Sequence, residues 1–173
     1  MLAVFSPTTT EQVAMYSNGC VHLINFRANI HWLLFKSLSV TSLVFSSDGL
    51  FLFIALWDGS LNKVDLNGNI KAVQKNTYHK EMINLIVISG KLSNDGVFVT
   101  ASSDMVVMWS EITLGKITKM ETPHSSVKIH NVSLALPDWV LILFSDGAVF
   151  VWDKVGFLDT SIQAEILFSW TYP

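Results

Sequence analysis

Charge is scarce in this chain. Only 14% of its 173 residues are Asp, Glu, Lys or Arg, against about 25% in an average soluble domain. The net charge is −3 and no Lys/Arg cluster is present, which argues against a nucleic-acid or anionic-membrane partner. Long apolar runs are missing too. A membrane helix needs about 18 or more consecutive apolar residues, whereas the longest run here, "LFLFIALW" (Leu50 to Trp57), has eight. It is bounded by Asp48-Gly49 and Asp58-Gly59, so it is predicted to be a buried strand. The only cysteine is Cys20. An internal disulfide is excluded, and a reducing compartment, cytoplasmic or nuclear, is expected. The start, "MLAVFSPTTT", has no basic flank and too short an apolar stretch for a signal peptide. Without such a signal the "NVS" sequon at Asn131 to Ser133 is expected to stay unused. GxGxxG, GxxxxGK[ST] and HExxH are all absent.

What is present is apolar and repetitive. Half the residues are hydrophobic and the mean hydropathy is +0.43. A turn leading into an alternating strand occurs four times: "SNGCVHLINF" (Ser17 to Phe26), "WDGSLNKVDL" (Trp57 to Leu66), "SSDMVVMWSE" (Ser102 to Glu111) and "FSDGAVFVWD" (Phe144 to Asp153). One position of the pattern is held in turn by Ile24, Val64, Trp109 and Trp152, at spacings of 40, 45 and 43 residues. Apolar strands such as "VTSLVF" and "LFLFIAL" precede the turn, and a short strand such as "IKAV" follows. Four short strands per period predict an all-β array with no helix.

A period of this length with Ser-Asp-Gly and Trp-Asp signals resembles the WD40 repeat of β-propellers. The resemblance runs from Met1 to about Ile162. It implies a single, partial propeller of about four four-stranded antiparallel blades, near residues 1–36, 37–76, 77–121 and 122–162, with a tail at 163–173. The ring is expected to be incomplete, with two apolar blade faces left open; the alternative is a compact four-bladed ring. In the family a His, a Ser/Thr, the turn Asp and the Trp share one hydrogen-bonded network. His79, Ser102, Asp104 and Trp109 take these roles in the third copy, with bonds expected from His79 to Ser102 and Asp104, and from Ser102 to Trp109. His124, Asp146 and Trp152 match in the fourth, where Phe144 stands in place of Ser. Elsewhere the sequence departs from the family. The third copy lacks the turn Gly, is one residue short, and carries an extra "GKLS" before Asn94. Pro123 replaces a Gly before His124, and Lys63 sits at a normally apolar strand position.

The same residues bear on chemistry. His79, Asp104 and Ser102 are nominally a Ser-His-Asp set, but the network already uses all three, and nothing suggests a nucleophile elbow or oxyanion hole. No catalytic residue is expected, and the protein is read as no enzyme. Cys20, His22 and His31 fall short of the usual four metal ligands; no metal and no cofactor are expected. The family's Trp-Asp-x-Arg mark is absent, since the sequence is Trp152-Asp153-Lys154-Val155, and so is Phe-Arg-Arg-Gly. The resemblance implies a non-catalytic scaffold for a protein or peptide partner, with no nucleic acid and no membrane bound. The alternative is a structural segment of a larger or split propeller, its open faces covered by further blades or by self-association. The expected binding rim holds Trp57 and Asp58 with Ser103 and Ser145, edged by His79 and His124. Trp57 stands where the other copies place Ser17, Ser103 and Ser145, and a Trp there is a candidate anchor.

Overall fold

A computed structural model describes residues 1–75, 78–79, 82–88, 96–122, 126–135 and 139–153. They form fifteen strands and no helix. Strands β1 (Leu2–Phe5), β2 (Gln12–Ser17), β3 (Cys20–Asn25) and β4 (Ile30–Lys36) make the first sheet. The second is β5 (Val40–Phe45), β6 (Phe51–Leu56), β7 (Leu61–Asp65) and β8 (Ile70–Gln74). The third is β9 (Leu85–Ile88), β10 (Val97–Ala101), β11 (Met105–Ser110) and β12 (Lys116–Glu121). The fourth shows β13 (Ile129–Ala135), β14 (Trp139–Phe144) and β15 (Val149–Asp153). Every sheet is an antiparallel meander in chain order. Ile24, Val64, Trp109 and Trp152 fall on β3, β7, β11 and β15, the third strand of each sheet.

Local turn chemistry sets these meanders. Asn18 and Gly19, at φ 52° and 76°, close β2 onto β3 in the left-handed conformations that a two-residue hairpin requires. In the second and fourth sheets the turn has three residues ending in Gly59 or Gly147, at φ 78° and 86°. Leu56 and Phe144 then pair with Ser60 and Ala148 through bonds of 2.9 Å. The third sheet has no Gly there. Its turn is one residue tighter, with the Ser102 amide donating to the Met105 carbonyl at 2.9 Å.

The sheets stack side by side, β1 against β5, β5 against β9 and β9 against β13. Strand periodicity sends alternate residues to opposite neighbours. Leu52 and Ile54 of β6 pack with Ala14, Val21 and Leu23 of the first sheet, while Phe53 and Ala55 pack with Phe98, Val107 and Trp109 of the third. Phe53 and Phe98 stack at 4.3 Å between centroids. Val99, Ala101, Val106 and Met108 face the fourth sheet. An inner blade buries both faces, so its strands read as unbroken apolar runs. Among the described residues there are three such inter-blade cores for four blades. The architecture is an arc of β-propeller blades. Among the described residues no such core forms on the outer face of the first blade, and Phe5 and Leu33 on it are 65% and 41% exposed.

Lys63 has a reason to break the apolar pattern. Its Nζ reaches across the core between the second and third blades and donates to the Glu111 carbonyl at 2.6 Å. The ammonium also lies 4.2 Å over the Phe51 ring. The Glu111 carboxylate accepts from the Ser47 amide and hydroxyl at 3.0 Å each. Burial pushes Glu111 up, against the pull of those Ser47 bonds. One rim of these two blades is thereby tied across the gap.

Candidate functional site: a rim and its hydrogen-bonded support

Because the strands alternate in direction, the β2–β3, β6–β7, β10–β11 and β14–β15 turns share one rim with the connections between blades. Trp57 lies there, 67% exposed. Its amide donates to the Ser39 carbonyl at 2.7 Å, which sets it beside Leu38, 90% exposed. The Leu38 loop is itself held. The Ser37 amide donates to the Gly19 carbonyl at 2.9 Å, and the Ser37 and Ser39 hydroxyls meet at 2.8 Å. Gly19 has a left-handed backbone at φ 76° that favours glycine, and Leu38 Cδ2 sits where a Cβ there would fall. Leu38 was not singled out by its sequence, where it stands between two serines with no motif around it.

Asp58 accepts from the Ser60 hydroxyl at 2.6 Å and the Ser60 amide at 2.9 Å. Those bonds hold its carboxyl below the ordinary range, so it stays anionic. The equivalent turns are also pinned to connections, that of Ser145 to the connection entering its own blade, as for Trp57, and that of Ser103 to the connection entering the next blade. Ser103 accepts from the Ile129 amide at 2.7 Å, and the Ser145 amide donates to the Lys128 carbonyl at 2.8 Å. Asp146 accepts from the Ala148 amide at 3.0 Å. His124 and the side chain of Trp152 lie outside the described residues.

Beneath the rim of the third blade runs a chain of five side chains. The Trp109 indole N–H donates to Thr100 Oγ1 at 2.8 Å. Thr100 Oγ1 lies 2.8 Å from His79 Nε2, and His79 Nδ1 lies 2.8 Å from Ser102 Oγ. The Ser102 hydroxyl donates to Asp104 Oδ1 at 2.7 Å. His79, Ser102, Asp104 and Trp109 are therefore brought together, but in a different order from the expected one. Ser102 stands between His79 and Asp104, and Thr100 makes the bond to Trp109 that Ser102 was expected to make. Ser102 cannot close the chain because it sits two residues nearer the turn. Thr100 shares its face and lies closer to the indole.

One proton arrangement satisfies every member. Trp109 gives to Thr100, Thr100 to His79 Nε2, His79 Nδ1–H to Ser102, and Ser102 to the carboxylate. It needs a neutral imidazole. Burial of the ring supplies that, pushing His79 down to about 4 against the pull of Asp104. The Ser102 hydroxyl is buried and spent on a carboxylate, an arrangement without a reachable nucleophile. Among the described residues no group of three or more His, Cys, Asp or Glu could hold a metal ion. No helix there is long and apolar enough to cross a membrane.

No family model and no curated protein matches this sequence. Solved structures do match. A chain in "Crystal Structure of Mitotic Checkpoint Complex" superposes with a TM-score of 0.73 at 18% identity, over 90% of this chain and 47% of that one. The likeness is one of fold, and this chain spans about half the length of its neighbour. It agrees with an all-β arc of propeller blades.

Proposed function

We propose that this chain is a non-catalytic protein–protein interaction scaffold of WD40 type, which presents one rim to a protein or peptide partner. The observation that carries this reading is Trp57, two-thirds exposed beside the exposed Leu38 on backbone pinned at both ends. A large aromatic ring held open to solvent on a rigid turn is the kind of group that dominates interface energies. Asp58 adds a fixed carboxylate beside it, and Ser103 and Ser145 extend the same rim on the turns of the third and fourth blades. The network of His79, Ser102, Asp104 and Trp109, with Thr100, is the support that keeps the rim in place, and Asp146 holds the corresponding turn of the fourth blade. The neighbour's title names a multi-protein complex, which is in keeping with protein partners. The test is affinity capture with the intact chain and with Trp57→Ala. Captured partner should bind the variant more weakly by about 2 kcal/mol or more, with the strand signal in circular dichroism unchanged. Equal binding by both chains refutes the reading.

A second reading is favoured by a separate observation. The open outer face of the first blade, with Phe5 and Leu33 exposed, suits a segment of a larger or split propeller. In that case the isolated chain self-associates or binds hydrophobic dyes through this face, and Phe5→Asp suppresses it. A monodisperse monomer that leaves such dyes unbound excludes this second reading.

A further inference from the structure

We propose that His22 and His31 form a two-imidazole site for a borderline divalent transition-metal cation, of the Zn²⁺, Ni²⁺ or Cu²⁺ class, on the outer face of the first blade. His22 Nδ1 and His31 Nε2 are 2.9 Å apart, and the ring centroids are 4.8 Å apart at 36°. The pairing register brings them together. Cys20 and Val21 of β3 pair with Lys36 and Phe35, but after a bulge His22 pairs with Leu33 and Ile24 with His31. Without the one-residue shift His31 would lie on the opposite face of the sheet from His22. Comparable bulges occur in β7–β8 and β11–β12, so the shift belongs to the blade. Among the described residues, only in the first blade does it align two imidazoles on one face.

The spacing suits a shared cation. Metal–nitrogen bonds of about 2.0–2.1 Å at angles of roughly 90–109° place the two nitrogens about 2.9–3.4 Å apart. In the empty pair one nitrogen carries the bridging proton and the other accepts it. A cation displaces that proton, which moves to the far nitrogen of the same ring, and the two exposed rings turn so that their lone pairs converge on the cation to one side of the N–N line; both imidazoles then bind in neutral form. Imidazole favours this class of metals over Mg²⁺ or Ca²⁺. Met15 lies directly opposite His22 on β2, which adds a polarizable thioether to the same face. Water fills the remaining positions.

The test is calorimetric titration of the full chain, free of any histidine tag, with NiCl₂ and separately with ZnCl₂. The intact protein should bind one equivalent, and His31→Ala or His22→Ala should weaken that binding at least tenfold. His130→Ala, which removes an exposed imidazole on β13, and Cys20→Ser should leave it unchanged. Equal affinity in the intact protein and His31→Ala overturns the proposal, as does loss of binding in Cys20→Ser alone. Circular dichroism of each variant separates lost ligands from lost fold.

Discussion

Replacing Thr100 with valine removes one oxygen and little else. Thr100 and Trp109 are both fully buried, so no water can reach the indole N–H that loses its acceptor. Such an orphaned donor costs about 1–3 kcal/mol, and the lost bond to His79 Nε2 adds about 1 kcal/mol. The expected destabilisation is thus on the order of 2–4 kcal/mol, a large share of the roughly 5–15 kcal/mol that holds a domain folded. In thermal melts this corresponds to a fall of roughly 5–15 °C for a chain of this size. Ser102→Ala should be milder, about 1 kcal/mol, because both stranded partners, His79 and Asp104, are only partly buried and water can replace the hydroxyl. Thr100→Ser keeps the oxygen and should recover most of the loss. Urea unfolding followed by circular dichroism measures all three. If Thr100→Val unfolds within about 0.5 kcal/mol of the parent while Ser102→Ala falls further, the indole bonds to Ser102 and the order of the chain given above is wrong.

Two other outcomes follow from buried ionisable groups. His79 titrates near 4 in the folded protein and near 6.5 unfolded, so its contribution is complete above pH 6.5 and is lost as pH falls toward 4, by up to about 3 kcal/mol. Urea midpoints at pH 7.5 and 4.5 should differ accordingly, and His79→Gln should flatten that difference; an equal pH dependence in the variant would show that other groups cause it. Lys63→Met keeps the stem beside Phe51 but strands the Glu111 carbonyl and removes the cation that favours the Glu111 carboxylate, with an expected cost of about 1–3 kcal/mol at pH 7. A variant as stable as the parent would mean that the latch between the second and third blades contributes nothing net.

What could be read from the sequence divides along contact range. Turns and strand alternation are local, and repetition averages out the ambiguity of each short run. Four copies therefore located Ile24, Val64, Trp109 and Trp152 on equivalent strands although two of the four are not aromatic. The missing Gly of the third turn was legible for the same reason: a one-residue deletion shows in the spacing. Thr100 was harder. It and Ser102, just past the end of β10, both carry hydroxyls on the same side of the chain, and they differ in height above the indole. Which one meets the indole is fixed by cross-strand register, with Thr100 opposite Val107 and Phe98 opposite Trp109. The alternation Phe98, Thr100, Ser102 was the available signal. Lys63 was visible as an anomaly, but its partner lies 48 residues away and no pattern announces it. The pairing of His22 with His31 was hidden further still, because an unbulged β3–β4 register puts them on opposite faces. The proposed binding rim rests on such register-dependent contacts. Leu38 and Trp57 are brought near each other by the amide bond from Trp57 to Ser39, which sets the connection entering the second blade against that blade's β6–β7 turn. A repeat sequence specifies the frame many times over, but each working contact on that frame is specified once.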